Sequence, residues 1–143
     1  MESDFKKAKE EFFKGKYTLV LCKNEDIIAS DLTGIRPLIK LIDDKKECKG
    51  YSAADKIVGR AAAFLYTLLE IKNLYGEVMS KGAIEILKKV GINYEYKTLT
   101  DYIENRQKNG ICPMDDAVKN ITDAKQACEA IRNKIKLLQQ KNN

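Results

Sequence analysis

The chain has 143 residues, 44% hydrophobic and 33% charged, with 26 basic and 21 acidic side chains and a formal net charge of +5. That length suits a single domain spanning 1–143, able to bury roughly 68–70% of its unfolded surface without disulfide or metal support. No run approaches the ~18 apolar residues of a spanning helix, no basic stripe interleaved with aromatics marks a nucleic-acid binder, and the lack of histidine removes both the commonest general base and the commonest neutral metal ligand.

Met1-Glu2-Ser3-Asp4 opens without a basic region followed by an apolar core, so no secretory signal is expected and the cytoplasm is the expected location. The four cysteines, Cys22, Cys48, Cys112 and Cys128, contain no CxxC pair. They give a zinc site no support and would stay reduced in that compartment.

In chain order, residues 3–15 read as a helix capped by Ser3 or Asp4, striped by Phe5, Ala8, Phe12 and Phe13, and closed by Gly15. Tyr17 to Cys22 and Asp26 to Ser30 read as two strands around a tight turn. Pro37 suits the first turn of a helix carrying Leu38, Ile39, Leu41 and Ile42. A polar loop over 43–50 follows, and Gly50-Tyr51 suggests a short strand. Ser52 to about Ile71 reads as one long buried helix, because Ile57, Val58, Ala61 to Leu65, Leu68 and Leu69 leave it apolar nearly all round. Leu74 to Met79 is a strand, Ser80 caps a helix over 82–90, Gly91 ends it, and Ile92 to Tyr96 alternates as a strand. Residues 102–110 are less regular. Pro113 to Lys119 offers one or two helical turns, and Thr122 caps a last helix with Ala124, Cys128, Ile131, Ile135 and Leu138 on one face. Gln139 to Asn143 reads as a frayed tail. Helices alternating with strands through the middle predict an α/β fold: a largely parallel sheet sandwiched by helices.

Several strings, Gly34-Ile35-Arg36-Pro37-Leu38, Ala54-Asp55-Lys56-Ile57-Val58-Gly59-Arg60-Ala61-Ala62, Glu77-Val78-Met79-Ser80, Asn105-Arg106 and Gly110-Ile111-Cys112-Pro113-Met114-Asp115, resemble a small prokaryotic family of unknown function. The resemblance runs from about residue 12 to 132. That family is placed in the cytidine-deaminase-like fold, which implies a three-layer α-β-α sandwich on a mixed sheet whose first two strands come from the hairpin. Zinc deaminases of that fold carry a His or Cys ligand and a Glu where this chain has Ala54-Asp55-Lys56, and cysteines where it has Met79-Ser80-Lys81-Gly82. Only Asp55 offers a donor, and zinc needs three. The resemblance therefore implies the scaffold and the position of the pocket, without zinc chemistry or another cofactor.

The candidate site follows from these strings. Ser52-x-x-Asp55 fits a capping box, and a helix N-terminus also binds anions through free amides and its dipole. Lys56 and Arg60, four apart on a helix, would share a face and clamp a phosphate or carboxylate, with a surface charge stripe as the alternative. Gly59, costly in mid-helix, serves close packing or leaves room for a ligand. Glu77, Met79 and Ser80 lie at the carboxyl end of a parallel strand, where open α/β sheets bind ligands. There Glu77 is a proton acceptor or an edge charge, and Ser80 is a cap as well as a ligand contact. Cys112 precedes a helix start that would lower its pKa; the alternative is a small, half-buried turn residue. Arg36 and Arg106 are candidates for bidentate anion binding or for surface salt bridges. Asp55 and Cys112 are thus the catalytic candidates, and Arg36, Ser52, Lys56, Arg60, Glu77, Met79, Ser80 and Arg106 the ligand-binding ones. The expected partner is an anionic small molecule, nucleotide-like or otherwise phosphorylated, with no nucleic acid and no membrane, and a small α/β domain of this kind is also able to form a homodimer. A regulatory or assembly module derived from the same fold is the alternative.

Overall fold

The computed structural model describes residues 3–141. A five-stranded sheet runs β2-β1-β3-β4-β5, with β1 (Leu19–Lys23), β2 (Asp26–Ser30), β3 (Ser52–Val58), β4 (Asn73–Ser80) and β5 (Asn93–Thr100). β1 is antiparallel to both β2 and β3, while β3, β4 and β5 are parallel. One face carries α1 (Asp4–Phe13) over Val20, Cys22, Ala54 and Tyr75. The other carries α2 (Arg36–Asp43), α3 (Arg60–Leu68), α4 (Lys81–Val90), α5 (Pro113–Ala117) and α6 (Ala124–Lys141), which bury Leu21, Ala53 and Leu74 beneath them. This is the three-layer α/β sandwich with a mixed sheet, its first two strands supplied by the hairpin.

Much of the local structure follows the sequence signals. The Ser3 hydroxyl accepts from the Lys6 amide at 3.1 Å and starts α1. Lys23 partners Asp26 across a two-residue turn in which Asn24 sits at φ +55°, a conformation asparagine tolerates. Ser80 Oγ accepts from the Ala83 amide at 3.1 Å, and Gly91 closes α4 at φ +81°. The last helix is capped by Asp123 rather than Thr122: Asp123 Oδ2 accepts from the Gln126 amide at 2.9 Å. Residues 139–141 continue α6 instead of fraying, and Asn142 and Asn143 lie outside the described residues, as do Met1 and Glu2. Cys48, expected in a polar loop, is buried.

The long helix over 52–71 is corrected. Ser52–Val58 is the central strand of the sheet, Gly59 is the turn, and only Arg60–Leu68 is helical. The chain leads into that strand through Gly50 and Tyr51, which do not form a strand of their own. The first half of that strand, Ser52–Ala54, is buried on both faces and reads as a continuous small run, without the alternation of a half-buried strand. Its two alanines, strong helix formers, carry the helical signal further, and pairing with β1 and β4 overrides it. The apolar remainder, Ala61 to Tyr66, is buried as expected.

The parallel ladder has one irregularity. Cross-strand partners run continuously along β3, β4 and β5 except at Lys56, Glu77 and Lys97, with no slip of register across the gap. Beyond it, Val58 and Met79 join the helix-rich core on the same side as Ala53 and Leu74, so the in–out alternation shifts by one. Met79 and Val58 then fold over Gly76, where a Cβ would meet Met79 Cε at 3.0 Å and Val58 Cγ2 at 3.1 Å. Gly76→Ala is expected to lower stability by about 1–3 kcal/mol through overpacking; chemical denaturation checks it, and an unchanged midpoint would contradict this packing.

Candidate functional site

The parallel strands deliver Val58 and Ser80, the starts of α3 and α4, and the segment after β5 to one carboxyl edge of the sheet. The geometry there differs from a pair of open helix ends. The Asp115 carboxylate, from α5, reaches the start of α3: its Oδ1 accepts from the Ala61 amide at 2.8 Å. The donors freed by the helix start are therefore engaged by the chain's own anion. Gly59 makes this possible, since a Cβ there would collide with the Asp115 carboxylate. Packing against an internal carboxylate, not space for a ligand, is the role of Gly59. Desolvation holds the Asp115 pKa above the ordinary range, and the amides of Ala61 and Arg60 with the Arg60 charge pull it back down.

Arg60 is equally engaged. Its Nε donates to the Val118 carbonyl at 3.1 Å and a terminal nitrogen to the Ile121 carbonyl at 2.7 Å, so it holds the α5–α6 connection. The guanidinium also stands 5.3 Å from the Phe64 ring centroid and 3.5 Å from Glu85. The expected clamp of Lys56 with Arg60 is corrected: Lys56 lies in β3, Arg60 opens α3, and no helical face joins them.

Ser52 is corrected in the same way. It lies at the amino end of β3, buried, with its Oγ accepting from Asn73 Nδ2 at 3.0 Å. Asn73 in turn accepts from Asn93 Nδ2 at 3.1 Å, a polar ladder at the far end of the sheet from the carboxyl edge. With Ser52 in a strand, no capping box exists at Asp55. Met79 is a core side chain, and Ser80 is buried as the α4 cap.

The expected depression of the Cys112 pKa is also corrected. The thiol is partly buried and pushed up, by desolvation first and by the Asp115 carboxylate, against the amides of Asp115 and Met114. α5 has five residues, too few to build a strong dipole. Arg106 stands on the 103–112 loop, where the Asn105 amide donates to Gly110 O and the Cys112 amide to Ile103 O. Arg36, Lys56 and Arg106 are exposed, and among the described residues no hydrogen bond or ion pair engages their side chains.

One group had no sequence signal pointing to its partner. Asp55 Oδ2 accepts from the Tyr66 hydroxyl at 2.6 Å. Tyr66 is fully buried on α3, one strand-to-helix return later. Desolvation pushes Asp55 up to about 7, although Tyr66 and the amides of Lys56 and Ile57 favour its charged form. The same burial and the neighbouring carboxylate raise Tyr66 well above its ordinary value. Asp55 keeps partial exposure and lies beside Leu19 of β1 and Gly76 of β4, the latter having no side chain to cover it. A carboxyl that titrates near neutrality can donate or accept a proton at physiological pH.

The predicted residues thus fall into separate groups. Arg60, Ser80 and Cys112 gather at the carboxyl edge with Asp115; Asp55, Lys56 and Glu77 lie along the two central strands; Arg36 and Arg106 stand apart on the surface. The clefts of about 250 Å³ along Phe64, Thr67, Ile86 and Thr122, and of about 220 Å³ along Leu41, Lys46, Cys48 and Leu69, contain none of them. Among the described residues, no three Cys, Asp or Glu side chains converge on a point fit for a metal ion, and no helix is long and apolar enough to cross a membrane.

A raised carboxyl pKa means that the folded chain binds a proton that the unfolded chain releases near pH 4. The Asp55 contribution to stability is therefore fully present below about pH 4 and is lost as pH rises to about 7. Asp55→Asn keeps an acceptor for Tyr66 and removes the titration. Its thermal midpoint relative to the parent chain is expected to climb from pH 5 to pH 8. A difference that is flat across that window would contradict the assignment.

A family model described as "TM1506: Domain of unknown function (DUF1893)" matches residues 7–135. Among solved structures, the chain is similar to the crystal structure of a DUF1893 family protein, TM1506, from Thermotoga maritima at 2.70 Å resolution. The TM-score is 0.83 at 21% identity, over 94% of this chain and 92% of that one; at that identity the likeness shows the fold. No curated protein matches the chain.

Proposed function

We propose that this chain, which belongs to the DUF1893 family, binds an anionic small molecule of nucleotide-like size over the Asp55 segment of the central strand. The observation that carries the reading is the Asp55 carboxyl, pushed up to about 7 yet still partly exposed in the middle of the sheet. Such a group is neutral for much of its time at physiological pH and tolerates an anion that a full carboxylate would repel. Lys56 follows it directly, exposed and without a partner among the described residues, and supplies the charge a phosphate requires. The start of α3 does not serve as the anion seat, because Asp115 occupies it.

A cytidine-deaminase-like relation is part of the same reading. It is supported by the mixed sheet, by the hairpin forming its first two strands, and by the central strand running into a buried helix. Zinc deamination is not part of it, since the matching positions hold Asp55, Met79 and Ser80. The engaged state of Asp115 and Arg60 favours a second reading, a regulatory or assembly module without a ligand at the carboxyl edge.

Calorimetric titration with a nucleoside diphosphate, a nucleoside monophosphate and inorganic phosphate separates the two. The first reading expects a nucleotide to bind more tightly at pH 6 than at pH 8. Lys56→Ala should weaken it about tenfold, or about 1.4 kcal/mol, and Asp55→Asn should abolish the pH dependence. No heat from any of the three, or binding indifferent to both substitutions, would overturn it in favour of the module.

A further inference from the structure

Asn109-Gly110 is the one Asn-Gly pair in the sequence, and it lies in the loop between β5 and α5 with Asn109 exposed. An isolated bridge between Glu104 and Ile111 ties off this loop: the Asn105 amide donates to the Gly110 carbonyl at 2.9 Å, and the Cys112 amide to the Ile103 carbonyl at 2.8 Å. Within the loop, Asn105 and Asn109 clasp each other. The Asn109 backbone amide donates to Asn105 Oδ1 at 3.1 Å, and Asn105 Nδ2 donates to Asn109 Oδ1 at 2.8 Å. A Cβ on Gly110 would lie 3.5 Å from Asn105 Nδ2, so that one amide group stands beside both residues of the pair. The Gly110 amide has no acceptor among the described residues.

These features meet the needs of one reaction. The backbone nitrogen that follows an asparagine can attack the side-chain amide carbon, Cγ, intramolecularly, and it does so most freely when the attacking residue has no Cβ in the way. Attack puts negative charge on Oδ1. Asn105 Nδ2 already donates to that oxygen, and a donor so placed binds the developing charge more strongly than the neutral carbonyl. The Gly110 nitrogen enters no hydrogen bond that must first be broken. Asn24, Asn73 and Asn93 lack this combination, since Glu25, Leu74 and Tyr94 follow them and carry side chains beside the nitrogen.

We propose that Asn109 is a self-modification site, where the folded chain converts its own side-chain amide to a carboxylate with Asn105 stabilising the oxyanion. The Gly110 nitrogen bonds to Asn109 Cγ and gives its proton to solvent base. The Cγ–Nδ2 bond breaks, and Nδ2 takes up a proton and leaves as ammonia. Water then opens the cyclic imide. Attack at Cγ leaves aspartate, and attack at the main-chain carbonyl leaves isoaspartate, with the chain rerouted through the side chain. Either product lowers the formal net charge of +5 by one, in the loop that leads through Cys112 into α5. Peptide mapping of the intact folded chain held at pH 8 is expected to find conversion at Asn109 well ahead of every other asparagine. Asn105→Ala should slow it about tenfold, the worth of one hydrogen bond to a developing charge. Asn105→Asp, which keeps an acceptor for the Asn109 amide but removes the donor, should slow it at least as far. In concentrated urea, where the clasp is lost, Asn105→Ala should convert at the parent rate. Circular dichroism confirms that both variants fold. No conversion at Asn109 in the folded chain, conversion undiminished in Asn105→Ala, or a slowing that persists in urea would each overturn the proposal.

Discussion

The carboxylate of Asp115 at the start of α3 is the contact on which the rest of the helical layer depends. It satisfies the Ala61 amide, ties α5 to the start of α3, and lies beside Arg60, whose guanidinium holds the carbonyls of Val118 and Ile121. α6 begins just beyond those carbonyls and buries Ala127, Cys128 and Ile131 against the core. A single glycine permits the arrangement, because any Cβ at 59 would occupy the space of the carboxylate. A break here would leave helix donors and a desolvated carboxylate without partners, which costs more than the bond itself contributes.

The same contact explains why the site expected from sequence is not where an anion can sit. A helix start behind a parallel strand is a ready anion seat, and in this chain the anion is built in. What stays available is the Asp55–Tyr66 pair on the central strand. Its chemistry comes from the opposite circumstance, a carboxyl whose desolvation outweighs the hydrogen bonds that favour its charged form. Two carboxylates within one small domain thus have raised pKa values for one shared reason, burial. They differ in consequence because Asp115 is held by backbone donors and Arg60, while Asp55 retains partial exposure.

The elements legible in the sequence are those whose ends carry their own chemistry. The Asn24 turn, Ser3, Ser80, Gly91 and Pro37 each fix a boundary through a local hydrogen bond or dihedral preference, and the hairpin, α1, α2, β4 and α4 follow from them. The region over 52–71 was opaque because its two halves share a composition: alanines and aliphatics serve equally in a doubly covered strand and in a buried helix. Gly59 was the one visible hint, an expensive residue in mid-helix and an ordinary one in a strand-to-helix turn. Of the site, Asp55 was legible as a singular carboxylate and Cys112 as a turn residue. Tyr66 and Asp115 were not, since each meets its partner only through tertiary packing over 11 and 54 residues of separation.

Gly59 and Asp115 act as one unit, and a double-mutant cycle measures this directly. Gly59→Ala, Asp115→Ala and the double variant are unfolded by denaturant, and their stabilities are compared. If the carboxylate needs the bare glycine, each single substitution costs about 1 kcal/mol or more. The double variant then falls well short of the sum, because either change alone already breaks the contact. Costs that add fully would show the two residues to be independent and would contradict the closure of α3 by Asp115.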